Sequence, residues 1–247
     1  MKFLAIIPAR FASTRLPGKP LSFIHGKPMI QHVYERVIES NTVDKVIVAT
    51  DDDQIVDVVS KFGGECTLTS PLHNSGTERC AEVASLFIKE YDVVINVQGD
   101  EPFISFEHFS ILKKIFLTEN DVQIASLIKR ITTNEELNNP NVVKALKSEK
   151  GNALYFSRSA IPFIRNSERQ NWLHGNTFYK HIGLYGYRIE TLLDLIKLNP
   201  TPLEQAESLE QLRWLENGYT IKLAETSSES LSVDTPEDLE RANKFSI

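Results

Sequence analysis

Three cations and two hydroxyls share one loop near the amino terminus. Arg10, Ser13, Thr14, Arg15 and Lys19 lie within IIPARFASTRLPGKPL (Ile6–Leu21), punctuated by Pro17, Gly18 and Pro20. Cationic side chains stabilise phosphate charge, and exposed backbone N–H groups add donors, so this composition suits a polyphosphate. The competing reading is a solvated basic loop beyond an edge strand, but locked Gly and Pro positions beside three cations exceed what a solvated surface requires. A second group, NVQGDEP (Asn96–Pro102), delivers Gln98, Asp100 and Glu101 directly after the apolar run Asp92–Val97. A carboxylate facing a basic phosphate loop can hold Mg²⁺, which takes hard oxygen ligands from one or two carboxylates, phosphates and water. A turn or capping Asp is the alternative. A third group, LSVDTPEDL (Leu231–Leu239), places Asp234 before Thr-Pro, where it can cap a helix, ligate a metal or do both.

Weaker signals follow. GTER (Gly76–Arg79) opens a helix after a polar loop, and helix amino termini suit anions. Arg79 there opposes the macrodipole, which points to a ligand or to a surface ion pair. HIGLYGY (His181–Tyr187) sets His181, Gly183, Tyr185 and Tyr187 on one strand face. LEQLRWL puts Glu210 and Gln211 beside a Leu209/Leu212/Leu215 core stripe. YFSR ends a hairpin at Arg158. For each of these polar groups, a solvated or structural role stands open beside ligand binding.

The elements that must position these groups alternate. Phe3–Ile7, Lys45–Thr50, Glu65–Thr69, Asp92–Val97 and Ile124–Lys129 read as strands; Met29–Ser40, Asp52–Phe62, Thr77–Lys89 and Ser105–Glu119 read as helices. In the second of these helices, Ile55, Val58, Val59 and Phe62 fall at helical spacing, and Gly63-Gly64 stops it. This order predicts an α/β fold, a mostly parallel twisted sheet with helices on both faces. Later, Val142–Leu146 and Ala153–Ser157 flank a turn, which predicts an inserted β-hairpin arm at about 140–160 in one domain spanning 1–247. Ile182–Tyr187 and Thr220–Ala224 are read as strands. Ile189–Leu198, Leu203–Asn217 and Pro236–Phe245 are read as helices, the last capped by Asp234 or Thr235.

Composition narrows the classes. The 247 residues carry net charge −6, yet the segment from Met1 to Tyr34 holds five Lys or Arg and no Asp or Glu. A basic island in an acidic chain fits a small anionic ligand rather than nonspecific nucleic-acid binding. No apolar run reaches the ~20 residues of a membrane span, so no membrane insertion is expected. The two cysteines, Cys66 and Cys80, lack metal spacing and fit a reducing, cytoplasmic setting. Dinucleotide, P-loop and nucleophile-elbow signatures are lacking, as is zinc spacing.

Taken in order, IPARFASTRLPGKPL, SGTER, NVQGDEP, YFSR, HIGLYGY, LEQLR and VDTPEDL resemble the 3-deoxy-manno-octulosonate cytidylyltransferase (CMP-Kdo synthetase) family over Phe3 to Ala242. The resemblance implies a nucleotide-diphospho-sugar transferase-like fold and a homodimer. It implies conversion of CTP and Kdo to CMP-Kdo and pyrophosphate for lipopolysaccharide synthesis. Carried over by motif, Arg10, Ser13, Arg15 and Lys19 hold the triphosphate and Asp100 and Asp234 hold Mg²⁺, which makes Arg10, Lys19, Asp100 and Asp234 the expected catalytic set. Arg79, Gln98, Arg158, His181, Tyr185, Glu210 and Gln211 line the sugar site. Backbone groups of Pro8–Ala9 and the loop near Ser75 are expected to select cytosine. A cytidylyltransferase for 8-amino-Kdo or a sialic-acid-like sugar, and a non-catalytic CTP-binding protein, are the alternatives.

Overall fold

In a computed structural model of the chain, residues 1–12 and 16–245 are described. The first strand, β1 (Phe3–Ala9), is apolar and almost wholly buried. Alternate side chains of a strand point to opposite faces, so β1 serves two cores. Phe3, Ala5 and Ile7 enter one core, and Leu4 and Ile6 enter the other. After it come a short 3₁₀ turn (Lys19–Leu21) and a small antiparallel ribbon, β2 (Phe23–Ile24) with β3 (Lys27–Pro28). The alternating part continues through α1 (Met29–Glu39), β4 (Lys45–Thr50), α2 (Asp53–Lys61), β5 (Cys66–Leu68), α3 (Gly76–Ser85), β6 (Val93–Asn96), α4 (Phe106–Thr118) and β7 (Ile124–Arg130). Then follow α5 (Asn134–Asn138), β8 (Lys144–Lys147), β9 (Ala153–Ser157), β10 (Tyr179–Arg188), α6 (Ile189–Leu195), α7 (Pro202–Glu207), α8 (Glu210–Glu216), β11 (Ile221–Glu225) and α9 (Pro236–Lys244).

Among the described residues the main sheet runs β11-β7-β10-β6-β1-β4-β5. The pairs β1–β4, β1–β6, β4–β5 and β7–β11 are parallel, whereas β10 is antiparallel to both β6 and β7. Helices α1, α2 and α4 cover one face, and α3, α6 and α8 cover the other. The expected mostly parallel sheet with helices on both faces is therefore present, with one antiparallel strand at its centre. The anticipated hairpin is β8–β9. It is joined to the sheet through β8, which pairs with Tyr179 and Lys180 of β10.

Several element boundaries differ from the sequence reading for identifiable reasons. The stretch Leu203–Asn217 is two helices, because Ser208 turns left-handed at φ 52 and ψ 50. Leu209 is buried and carries on into α8. Helix α3 stops at Ser85, after which i→i+3 bonds from Leu86 and Phe87 tighten the chain. Strand β10 begins three residues earlier than expected, because Tyr179, Lys180 and His181 pair with β7. Thr235 is the cap of α9, its side chain accepting from the Asp238 amide, so capping does not require the Asp234 carboxylate.

Two connections bring chemistry to one edge. Gly99 lies so near β1 that a Cβ on it would sit 2.8 Å from the Pro8 carbonyl oxygen. Only glycine lets the loop after β6 lie against the end of β1. The strap between β11 and α9 is tied down at intervals. Glu107 accepts from the hydroxyls of Thr226, Ser227 and Ser228. Glu229 pairs with Lys129 at 2.6 Å and Lys180 at 3.0 Å. The Val233 amide donates to the Asp100 carbonyl at 2.9 Å.

The left-handed Ser208 sets up the first test. An L-residue in that region costs roughly 1–2 kcal/mol, partly offset by glycine's larger unfolded-state entropy. Ser208→Gly is expected to stabilise the fold by about 0.5–1 kcal/mol in urea unfolding. A loss of stability would show that the serine side chain contributes to the turn.

Candidate functional site

Ligands in open α/β sheets gather beyond the carboxyl ends of the strands. There, a cleft of about 470 Å³ is lined by Pro8, Ala9, Arg10, Lys19, Arg79, Gln98, Asp100 and Asp234, among others. It lies beyond β1, β6 and the amino end of α3, and the strap contributes Asp234. Ser13 and Arg15 lie outside the described residues.

Lys19 is the centre of the cleft's electrostatics. Its Nζ donates to Asp100 Oδ2 at 2.6 Å and to Asp234 Oδ1 at 3.0 Å. Burial alone would lower its pKa, but the charge and hydrogen bonds of Asp100 and Asp234 outweigh that and raise it. The ammonium is thus fully charged at neutral pH. Its backbone is set by Gly18, left-handed at φ 67, and by Pro20, which is buried. The two carboxylates converge on one cation, and that convergence is itself the evidence that they fit a divalent metal. Two hard oxygen donors facing one point match the one-or-two-carboxylate pattern of Mg²⁺. Among the described residues no group of three or more His, Cys, Asp or Glu is placed to hold a metal, so an ion on this pair would take its other ligands from phosphate and water.

Arg79 is 1% exposed. Its guanidinium donates to Thr69 Oγ1 at 2.5 Å and to Asp51 Oδ2 at 2.9 Å. Asp51 follows β4 as Asp100 follows β6, and the sequence reading missed it. The repeated placement of a carboxylate after a buried strand was the available signal. Ser75 caps α3, accepting from the Glu78 amide at 3.1 Å. Gln98 Nε2 donates to the Gly183 carbonyl at 3.1 Å, which ties the cleft to β10.

A buried polar cluster adjoins the cleft through Gly76 and Thr77. Thr77, also missed by the sequence reading, donates its hydroxyl to Glu210 Oε2 at 2.5 Å. Burial raises the Glu210 carboxyl, against the lowering effect of hydrogen bonds from Thr77 and Ser75. Gln211 beside it is buried. The Tyr185 hydroxyl is buried and has no hydrogen-bond partner among the described residues. Burial, and then the charge of Glu210, raises its pKa well above the ordinary value, so it remains a neutral phenol. Unsatisfied buried hydroxyls are uncommon and mark places where a ligand's polar groups can be received.

His181 Nε2 bonds Ser126 Oγ at 2.9 Å, and its ring packs against Phe156 and Tyr185 with centroids 5.0 and 5.2 Å away. Burial pushes the imidazole down to about 3. It therefore acts as a neutral hydrogen-bonding group, not as a cation. Arg158 is placed differently from the others. Its guanidinium donates to the carbonyls of Glu207 at 2.7 Å, Pro140 at 3.2 Å and Ser208 at 3.3 Å. It clasps the α7–α8 turn, and like His181, Tyr185, Glu210 and Gln211 it is not among the residues that line the cleft.

Comparisons with known proteins follow the same lines. The family model described as Cytidylyltransferase matches residues 4–225. The 3-deoxy-manno-octulosonate cytidylyltransferase of Parabacteroides distasonis is 51% identical over 99% of this chain and 98% of its own. That of Bacteroides thetaiotaomicron is 50% identical over 99% and 98%. A CMP:2-keto-3-deoxy-manno-octonic acid synthetase, solved in complex with CTP, superposes with a TM-score of 0.91 at 41% identity, covering 99% of this chain and 98% of that one. A 4-diphosphocytidyl-2C-methyl-D-erythritol synthase from Anaerococcus prevotii shares the fold, with a TM-score of 0.63 at 13% identity over 98% and 97%.

The buried imidazole yields a signed pH test. Its pKa lies below the unfolded value, so the unfolded chain takes up a proton first. The stability it supports is complete above about pH 6.5 and is lost as pH falls from there toward 3. In denaturation series, His181→Gln is expected to cost most near pH 7.5. Its deficit relative to wild type should shrink below pH 6.5 by up to about 1.4 kcal/mol per pH unit. A pH-independent deficit would contradict a neutral, desolvated ring.

Proposed function

The chain belongs to the cytidylyltransferase family, among the 3-deoxy-manno-octulosonate cytidylyltransferases, and from that premise we propose how its cleft carries out cytidylyl transfer. The reaction joins CTP and Kdo to give CMP-Kdo and releases pyrophosphate. The observation that carries the residue assignments is the convergence of Asp100 and Asp234 on Lys19 within the cleft.

Arg10 and Lys19 bind the triphosphate, joined by Ser13 and Arg15 from the same loop. Pro8, Ala9 and the loop near Ser75 present backbone groups to the cytosine. The Kdo carboxylate and hydroxyls are met by Arg79, Gln98, His181, Tyr185, Glu210 and Gln211. Arg158 acts at one remove by holding the turn that leads into Glu210. Asp100 and Asp234 would hold Mg²⁺, which would supply charge neutralisation and polarisation of phosphate oxygens.

The chemistry is an in-line attack of the Kdo anomeric hydroxyl on the α-phosphorus, with pyrophosphate leaving. Both reactants are anions. Two unit charges about 4 Å apart repel by roughly 4 kcal/mol at an effective dielectric of 20. Arg10 and Lys19 offset that repulsion and stabilise the charge that builds on the departing pyrophosphate. His181 and Tyr185 stay neutral and orient hydroxyls without adding charge. Positioning and electrostatics therefore account for the rate, as is general for phosphoryl-type transfer.

The homodimeric state, the cytoplasmic setting, the service to lipopolysaccharide synthesis and the single domain with its hairpin arm belong to the same proposal and rest on the family resemblance. Among the described residues no helix is long and apolar enough to cross a membrane.

Pyrophosphate release should be measured with Kdo and each of four nucleoside triphosphates, then with CTP and 8-amino-Kdo or a sialic acid. CTP with Kdo is expected to turn over fastest, and a preference for any other pair would overturn the substrate assignment. Asp100→Asn is expected to lower kcat by about 10³-fold with little change in Tm. Near-normal turnover in the folded variant would remove Asp100 from the catalytic set.

A further inference from the structure

One carboxylate at the ligand edge takes no part in metal binding or helix capping. Thr50 pairs with Ala9 at the end of the β1–β4 ladder. Asp51 is therefore the first residue past the carboxyl end of β4, as Arg10 is past that of β1. A carboxylate at an edge that receives anions works against binding unless a cation answers it. Capping does not account for it, because Asp52 caps α2, its side chain accepting from the Gln54 amide at 2.8 Å. The answering cation is Arg79, whose Nη2 donates to Asp51 Oδ2 at 2.9 Å. The side chains of Arg79 and Asp51 are 1% and 19% exposed.

Arg79 is anchored at two different nitrogens. Besides the bond to Asp51, its Nη1 donates to Thr69 Oγ1, and the Thr69 hydroxyl in turn donates to the Thr50 carbonyl at 2.9 Å. The Thr69 amide bonds the same carbonyl at 2.7 Å, and both threonines are buried. Both anchors therefore trace to the end of β4, whereas the Arg79 backbone belongs to α3. A guanidinium is a rigid planar fork of five N–H donors, so two anchors on separate nitrogens fix its plane. The rest of the fork is left for the cleft that Arg79 lines.

We infer that Asp51 is a positioning residue for the sugar acid: it fixes the plane of the Arg79 guanidinium so that the remaining N–H donors meet the Kdo carboxylate. This rests on the reading above that Arg79 meets Kdo. Among the groups assigned to the sugar Arg79 is the one cation, so the carboxylate falls to it. Guanidinium and carboxylate bind best through parallel N–H bonds, which depend on the orientation of the fork. A bystander charge and a positioning residue predict opposite signs. Were Asp51 only a negative charge near the site, its removal would tighten binding of an anion. Because it sets the plane, its removal weakens binding, since the anion must then order the guanidinium itself.

Steady-state kinetics of pyrophosphate release on the full chain test the inference. Asp51→Ala is expected to raise KM for Kdo by about tenfold, with kcat and KM for CTP changed by less than about twofold. Asp51→Asn keeps an acceptor oxygen for Nη2 and is expected to give a smaller rise of the same sign. Asp53→Asn removes a like charge from the exposed first residue of α2 and should leave both KM values unchanged. Arg79→Lys keeps the charge and loses the fork, so it too should raise KM for Kdo. Adding Asp51→Ala to it should raise that KM by less than about twofold more, because the two residues act as one unit. An unchanged or lowered KM for Kdo in both Asp51 variants would overturn the inference. So would an equal rise in KM for CTP, an equal rise in Asp53→Asn, or the full Asp51→Ala effect in the Arg79→Lys background. Should Arg79→Lys fold poorly, the two Asp51 variants decide alone. An unchanged KM for Kdo in folded Arg79→Lys would overturn the assignment of Arg79 to the Kdo carboxylate, and the inference with it.

Discussion

Two carboxylates far apart in the chain share one ammonium, and the rest of the cleft is arranged around that contact. Asp100 and Asp234 brought together without a cation would repel each other, and each would lose solvation for no return. Lys19 resolves this at 2.6 and 3.0 Å. The gross attraction of one such pair at about 3 Å is about 5.5 kcal/mol at an effective dielectric of 20. Desolvation and side-chain ordering offset much of it, so the triad is better understood as a way to hold two negative groups in register than as a source of stability. On the proposed function, that register is the one in which the pair would receive a metal ion beside a polyphosphate.

The fold supplies three separate means of keeping the register. The buried strand β1 ends at the cleft and is flanked by parallel partners on both sides, so the basic loop starts from a rigid point. Gly99 lets the loop carrying Asp100 lie against the Pro8 carbonyl. The strap bearing Asp234 is bonded to Asp100's own backbone by Val233 and is fastened further back by Glu107 and Glu229. The aspartates are therefore neighbours through backbone contact as well as through Lys19. The antiparallel β10, inserted between β6 and β7, brings His181 and Tyr185 to the same edge. Trp214 of α8 packs edge-on against Tyr185 and Tyr187 at 5.2 and 5.6 Å, which seats Glu210 at the start of that helix.

Much of this was legible in the residues themselves. Buried strands such as Lys45–Thr50 announce themselves as unbroken apolar runs, because helices cover both faces of the sheet. Carboxylates after such runs lie where ligands gather in open α/β sheets, and Asp100 stood out only when read beside the basic loop of the first strand. Asp51 escaped notice because it stands directly before Asp52, the cap of α2, where an acidic residue needs no further explanation. The break at Ser208 was invisible, since Leu203 to Asn217 keeps helical spacing and nothing in a serine announces a left-handed turn. The place of β10 in the sheet was not readable either, because strand order depends on long-range pairing rather than on local pattern. Arg158 shows the limit of motif reading. Its position beside the hairpin was plain, but three backbone carbonyls claim its guanidinium, and no spacing rule reveals them.

The most direct measurement is an anomalous-difference map from crystals of the chain grown with Mn²⁺ and α,β-methylene-CTP. A peak bridging the carboxylates of Asp100 and Asp234, with Lys19 turned onto the phosphates, is the expected result. A peak remote from both aspartates, with Lys19 still bonded between them, would contradict the shared-cation centre.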